Sequence, residues 1–255
     1  EQPPKEQPQN PKPQTPSHKA LEIDKTNIDV IYGQNGTIAI TSGNGEYDIT
    51  PSDEKIITYQ ISEDNTKITI TAKHVGEGTL SITDKKTKET KKVNVRCLTN
   101  PEHYRLNDNK TELLEWKDKT ATTIDMKNDP ILKNVVILKN NFNGCSKLSR
   151  IEFPDKLTTI IAGAEFFQGC TALTEITLPE SISDLSNTPN MFQNSSIKSV
   201  FVLAKTPPKL NAQTVIGLSE AQIFVPEESF QAYKAAPLWQ YLNILSFAKI
   251  SKLKN

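Results

Sequence analysis

The stretch of this sequence that most resembles a reactive site is "FQGCTALTEITLP", residues 167–179, where Cys170 stands between a glycine and a threonine ahead of an alternating apolar run. A nucleophilic cysteine needs a base or a positive neighbourhood to hold it as thiolate. The chain offers only His18, His74 and His103, none of them in this stretch or in those that resemble it. Residues 142–154, "FNGCSKLSRIEFP", place Cys145 at the corresponding point. Repeating a catalytic residue once per unit makes no chemical sense, whereas free cysteine packs as a small hydrophobe. Cys145 and Cys170 are therefore expected to be buried, one strand spacing apart. Carboxylates offer a second chemistry: Glu152, Asp155 and Glu175 are available for a hydrolase, yet nothing in their spacing sets two of them about a pocket. Asp48, Asp53 and Asp64 lack the dense odd-position spacing of a calcium loop. "GQNG" and "SGNG" lack the spacing of a phosphate-binding loop and read as turns. The sequence assigns no catalytic residue, no cofactor and no metal.

What must position these residues is a repeat. A third copy, "FQNSSIKSVFV", spans residues 192–202, and Phe142, Phe167 and Phe192 are spaced by 25 and 25 residues. After each comes a small-residue turn and then Leu148, Ile151 and Phe153; Leu173, Ile176 and Leu178; or Ile197, Val200 and Val202. "LKNVVIL", with Leu132, Val135 and Ile137, reads as a partial copy ahead of them. A period in the twenties with this strand pattern is the signature of a leucine-rich-repeat solenoid. In such strands the apolar positions point inward and the residues between them face out. Stacking in register then predicts two outward rows. One holds Asn134, Arg150, Glu175, Ser199 and Gln222, and the other Val136, Glu152, Thr177, Phe201 and Phe224. Phe201 and Phe224, beside Thr177, are the candidate partner-binding residues, unless a C-terminal helix folds back over them.

The bulk properties exclude several classes. Thirty basic and thirty acidic side chains cancel over 255 residues, which argues against nucleic acid or an anionic membrane surface as partner. No apolar run has the length of a membrane span. "DKKTKETKK", residues 84–92, lies between two strand-like segments and reads as a solvated hairpin tip. Three cysteines cannot make a disulfide scaffold. Residues 1–20 are rich in proline, glutamine and lysine and read as a disordered tether. Membrane association is expected only through a lipid anchor upstream of this stretch.

Residues 21–97 alternate with period two, placing Ile38 with Ile40, Ile68 with Ile70, Leu80 with Ile82, and Val93 with Val95 and Cys97. With turns between the runs this predicts a small antiparallel sandwich. "LEIDKTNIDVIYGQNGTIAITSGNGEYDI", "KITITAKHVGEGTLSITD" and "KKVNVRC" resemble the bacterial immunoglobulin-like modules of surface proteins. In residues 98–118, Leu113, Leu114 and Trp116 predict a short amphipathic helix that caps the solenoid. Pro226 opens a second helix carrying Phe230 and Tyr233, which Pro237 ends; with Trp239, Tyr241 and Leu242 it reads as the far cap.

Residues 130–247 as a whole resemble the BspA-type leucine-rich repeats of secreted and surface bacterial proteins, on the copies quoted above and the closing "KTPPKL…IFVPEESFQAYKAAPLWQYL". The fold class expected is mainly β: an immunoglobulin-like β-sandwich over 21–97, then a short BspA-type repeat solenoid with helical caps over 98–255. The resemblance implies a non-enzymatic protein at the cell surface, lipid-anchored to the outer membrane, adhering to an extracellular protein or glycan. The alternative is an accessory carbohydrate-binding protein of a polysaccharide-uptake system, which would need exposed aromatic rings to stack on sugars.

Overall fold

The computed structural model describes residues 18–139, 142–162, 166–189, 191–192, 194–219 and 221–249. The expected tether over residues 1–20 lies almost wholly outside the described residues. The first eight strands are β1 (Glu22–Ile23), β2 (Asn27–Ile31), β3 (Asn35–Ser42), β4 (Tyr47–Pro51), β5 (Ile57–Ile61), β6 (Lys67–Ala72), β7 (Gly76–Asp84) and β8 (Thr90–Leu98). They form two four-stranded sheets in the orders β1-β3-β6-β5 and β2-β8-β7-β4. The alternation read from the sequence is the reason both sheets share one core: Ile38, Ile68 and Ile70 come from the first, and Leu80, Ile82, Val93 and Val95 from the second. One pairing departs from the antiparallel expectation. β2 runs parallel to β8, with Val30 beside Cys97. These two strands are far apart in the chain, so no tight hairpin dictates their direction.

The 84–92 segment is a hairpin tip, but Asp84 is not solvated. It is fully buried, and its two carboxylate oxygens accept from the amides of Lys86 and Thr87 and from the amide and side chain of Asn44. Burial alone would raise its pKa. Those hydrogen bonds outweigh it and hold the carboxyl at about 2.

From residue 104 the strands are shorter: β9 (Tyr104–Leu106), β10 (Glu112–Trp116), β11 (Thr123–Asp125), β12 (Ile137–Lys139), β13 (Arg150–Glu152), β14 (Thr159–Ile161), β15 (Glu175–Leu178), β16 (Asp184–Asn187), β17 (Ser199–Val202), β18 (Gln222–Val225) and β19 (Ile244–Ser246). From β10 to β17 they alternate between two sides of one core. β9, β10, β12, β14 and β16 make one sheet, parallel except for the β9–β10 pair. The strands of the recognised copies make the other side, as the pair β11–β13 and the sheet β15-β17-β18-β19.

Three expectations are corrected. Residues 112–116 are strand β10 and not a capping helix. Leu113 and Trp116 are both buried at a helix-like spacing because the β9–β10 register shifts between Leu113 and Glu115, which turns Trp116 inward. The start of the repeat core is therefore covered by a hairpin. Second, "LKNVVIL" belongs to the opposite sheet, as β12 and the 3-10 turn before it. The place of Asn134 and Val136 in the outward rows is taken by Thr123 and Asp125 of β11. Third, Arg150 is not a strand neighbour of Glu175, because β13 and β15 are not paired.

The small-residue turn of each copy has a backbone reason. Gly144 and Gly169 take φ of 75° and 76°, and Asn194, at the same point of the third copy, takes 56°. Glycine and asparagine tolerate that left-handed region best. The turn sets the amide of Gly144 against the carbonyl of Gln168, and that of Gly169 against the carbonyl of Asn194. Beneath it Phe142, Phe167 and Phe192 stack with centroids 5.7 and 5.9 Å apart.

At the far end, α1 (Ala212–Leu218) is capped by Asn211, whose side chain accepts from the Thr214 amide. α2 (Phe230–Ala235) follows, with Tyr233 and Trp239 buried edge to face. The Tyr233 hydroxyl and the Trp239 indole donate to the carbonyls of Ala204 and Pro208. Tyr233, Trp239 and Leu242 are core, and Phe230 is partly buried against it, but Tyr241, expected in the same cluster, is exposed.

Candidate functional site

The thiols occupy the places the repeat predicts. Cys145 and Cys170 are fully buried, and with Cys97 they are free cysteines. Cys170 Sγ donates to the Phe142 carbonyl at 3.0 Å. Burial raises the thiol pKa of Cys145 and pushes Cys170 up to about 11, the opposite of what a nucleophile needs.

The candidate aromatic patch is partly covered. Phe201 and Phe224 stack with centroids 4.9 Å apart and planes at 16°. Phe224 is only 4% exposed and Phe201 half-buried. The ring of Phe247, in a 3-10 turn after β19, sits 6.5 Å from Phe201. The C-terminal segment thus reaches Phe201, and Leu245 of β19 lies beside Phe224 in register. Phe224 cannot be an exposed anchor. Thr177 lies beside Phe201 in register and is exposed.

A concavity lies where the strand row opens. Between β13 and β15 lies a groove of about 630 Å³, whose walls include Arg150, Glu152, Glu175 and Thr177, with Lys127 and Asn128 at one end and Pro179 and Leu203 at the other. Its floor is apolar, because Ile151, Phe153 and Ile176 turn inward and are buried. Its rim is charged. Lys127 Nζ lies 2.9 Å from Asp155 Oδ1, and the Arg150 guanidinium bonds to Glu152 on its own strand, which raises the arginine pKa. Among the described residues Glu175 makes no close ion pair, although the charge of Arg150 acts on it across the groove.

The structure does bring together the three carboxylates considered for hydrolysis: Glu152, Asp155 and Glu175 all line this groove. Two of them are tied to cations and none is buried. The groove is open to water, so it offers no dry pocket in which one carboxyl would be held protonated beside another. Among the described residues no group of three or more His, Cys, Asp or Glu side chains is placed to hold a metal ion.

A second cleft shares Lys127 and Asn128 with the first and lies against the β4–β8 side of the molecule, at His74, Gly76 and Glu77. Lys133 Nζ bridges it to Glu77 Oε2 at 2.7 Å, and His74 stacks on the exposed ring of Tyr32. Lys127, Asn128 and Leu203 were not singled out from the sequence. Their place in the groove depends on the unpaired strands, and side-chain periodicity carries no signal for that.

Residues 126–212 match a family model described as a BspA type leucine rich repeat region, in six copies. No curated protein matches the chain. Among solved structures, domains 1–6 of surface layer protein SbsC are similar at 20% identity and a TM-score of 0.31, over 37% of this chain and 15% of that one. Domains 5–6 of the S-layer protein SbsC are similar at 20% identity and a TM-score of 0.32, over 44% of this chain and 54% of that one. The chain thus covers less than two thirds of either. No helix among the described residues is long and apolar enough to cross a membrane. The stretch that carries the groove is therefore similar in sequence to a BspA type leucine rich repeat region.

Proposed function

We propose that this chain is a non-enzymatic binding protein of the cell surface, in which residues 98–255 form the binding module and residues 21–97 an immunoglobulin-like spacer that holds it away from an anchored, proline-rich tether. The sequence match over residues 126–212 supports a surface role. The observation that carries the binding role is the groove between β13 and β15. It is a concave, charged, water-open surface on the outward side of the repeats, built on a rigid core. Its volume falls within the range, roughly 300–1,000 Å³, of sites that hold a compact ligand or a short segment of a larger one. Two separate hydrophobic cores, one drawn from residues 21–97 and one from residues 104–244, support the division into spacer and module.

The accessory carbohydrate-binding alternative needs exposed rings. With Phe224 buried and Phe201 half-buried, the row of repeats presents no such pair. The test is a binding screen of the intact chain against extracellular proteins and a glycan array. Glu175→Arg and Thr177→Trp serve as groove variants that do not touch the core. Saturable binding of a protein ligand, lost in both variants, is the expected result. Binding confined to a defined glycan, or binding indifferent to both variants, would displace this reading.

A further inference from the structure

The second cleft lies where the two hydrophobic cores meet. Its volume is about 500 Å³, and junctions between separately packed units are common places for a compact ligand. One wall comes from turns at the end of the β1–β8 unit, with Asp53, Ile56 and His74. The other comes from β11 and the turns after it, with Asp125, Asn128 and Lys133. Beside His74 stands the ring of Tyr32, 52% exposed. The two rings are parallel within 12°, with centroids 6.3 Å apart. At that separation they are offset, so neither covers the face of the other. Both rest on turns pinned by main-chain bonds. The Tyr32 amide donates to the Leu98 carbonyl, the Gly33 amide to that of Ala72, and the Lys73 amide to that of Ile56. The result is a fixed aromatic shelf leading into a polar cleft.

The charges of the cleft are matched within the protein. Lys133 Nζ lies 2.7 Å from Glu77 Oε2, Lys127 Nζ lies 2.9 Å from Asp155 Oδ1, and the charge of Arg150 acts on Asp125. A charged ligand would have to disrupt these pairs, so the cleft favours a neutral one. Its hydrogen-bonding capacity is nonetheless large, because each carboxylate oxygen accepts at two lone-pair sites. Asp125 accepts from the amide and the side chain of Asn128, one on each oxygen, and Asp53 accepts from the Lys55 amide. The remaining sites suit hydroxyl donors. We infer that this cleft binds a neutral oligosaccharide: one sugar ring lays its C–H face on the Tyr32–His74 shelf, and the next enters the cleft and bonds its hydroxyls to Asp53, Asp125 and Asn128. Sugars combine an apolar ring face with a hydroxyl edge, as the shelf and the walls require. A flat aromatic ligand would cover the shelf and leave the acceptors of the walls unmet. The exposed ring that the repeats lack thus stands on the β1–β8 unit, and the saccharide site is separate from the groove.

The experiment is a screen of the intact chain on an array of neutral glycans, followed by NMR titration with cellotetraose, maltotetraose and mannotetraose. Saturable binding of a neutral glycan is expected, with the amide signals of Tyr32, His74 and Asn128 shifting together. Tyr32→Ala should weaken that binding by about tenfold or more, as the loss of an anchoring ring does. Tyr32→Phe should keep it, because the stacking face is retained. Tyr32 is exposed, so neither change touches the core; if Tyr32→Ala does not fold, His74→Ala carries the same test. Affinity should be nearly equal at low and high salt, since no ion pair is made with the ligand. Four results would each overturn the inference: no neutral glycan bound, binding confined to charged glycans, binding unchanged in Tyr32→Ala, or binding lost in Glu175→Arg. The site stands or falls apart from the groove. A chain that binds a protein ligand through the groove and no glycan refutes the saccharide site alone. Glycan binding that depends on Tyr32, in a chain with no protein ligand, refutes the groove's role alone.

Discussion

The amide of Thr99 donates to the buried carboxylate of Asp129 at 2.7 Å, at the point where one hydrophobic core ends and the next begins. The other oxygen of Asp129 accepts from the amides of Ile131 and Leu132, so one side chain serves three main-chain donors. Replacing it with alanine leaves those donors unpaired, one of them on buried Leu132 and two on half-buried residues, where an unmet buried group costs about 1–3 kcal/mol. We expect Asp129→Ala to lower stability by about 3 kcal/mol, read from the denaturant midpoint, with Asp129→Asn between it and the parent. A loss under about 1 kcal/mol would show that water reaches the site.

Because the two cores share no residue, residues 21–97 expressed alone should unfold in one cooperative all-β transition. The ion pair of Lys133 with Glu77 crosses the junction. A fragment without native-like dispersion in its NMR spectrum would mean that contacts of this kind are integral to the first unit.

Asp84 gives stability a defined pH dependence. Its carboxyl sits at about 2 in the fold against an ordinary 3.8, so the folded state binds its proton less readily than the unfolded chain. That contribution is complete above the unfolded value and is lost as the pH falls from about 4 towards about 2. Asp84→Asn should flatten this part of the profile of the denaturation midpoint against pH. An unchanged slope would mean that other carboxylates set it.

Cys170→Ala should cost about 1–2 kcal/mol through lost packing and leave partner binding unaltered. The native thiols of Cys97, Cys145 and Cys170 should resist alkylation until the chain unfolds, since all three are buried. Rapid labelling of Cys170 in the folded protein would contradict its burial.

The recognised copies were legible because each inward position is apolar and each turn needs a residue at ease at positive φ; Ile151, Ile176 and Val200 or Gly144, Gly169 and Asn194 are enough to see it. The opposite sheet was not legible. β14 and β16 bury one central residue each, Ile160 and Leu185, and so present no alternation to read. β10 was misread because a register shift gave Leu113 and Trp116 the spacing of a helix. In the candidate site, Thr177 is exposed as expected, while Phe224 lies between Phe201 and Leu245 of the last strand, a neighbour distant in sequence. The open ladder leaves no mark on side-chain periodicity, since the copies on either side keep their pattern whether or not they bond.

A steric cause for that opening makes the last prediction. The third inward position of successive copies is Phe153, Leu178, Val202 and Val225, so the largest side chain stands beside the groove. At the same level Phe166 packs edge to face on Phe142 at 5.4 Å, and Phe153 lies 6.5 Å from Phe142. The core there holds two rings in addition to the repeating phenylalanine stack, and we expect this bulk to keep β13 and β15 from pairing. Phe153→Leu should let the strands approach and close their ladder. The amides of Ile151 and Thr177 would then become protected in hydrogen exchange, and the groove would shrink. The net stability change should be small, because the lost packing, about 1–2 kcal/mol, is offset by main-chain bonds worth about 1 kcal/mol each. If Phe153→Leu instead loses the full packing energy while both amides stay unprotected, this bulk is not the cause, and the opening is set by the loops that join the strands.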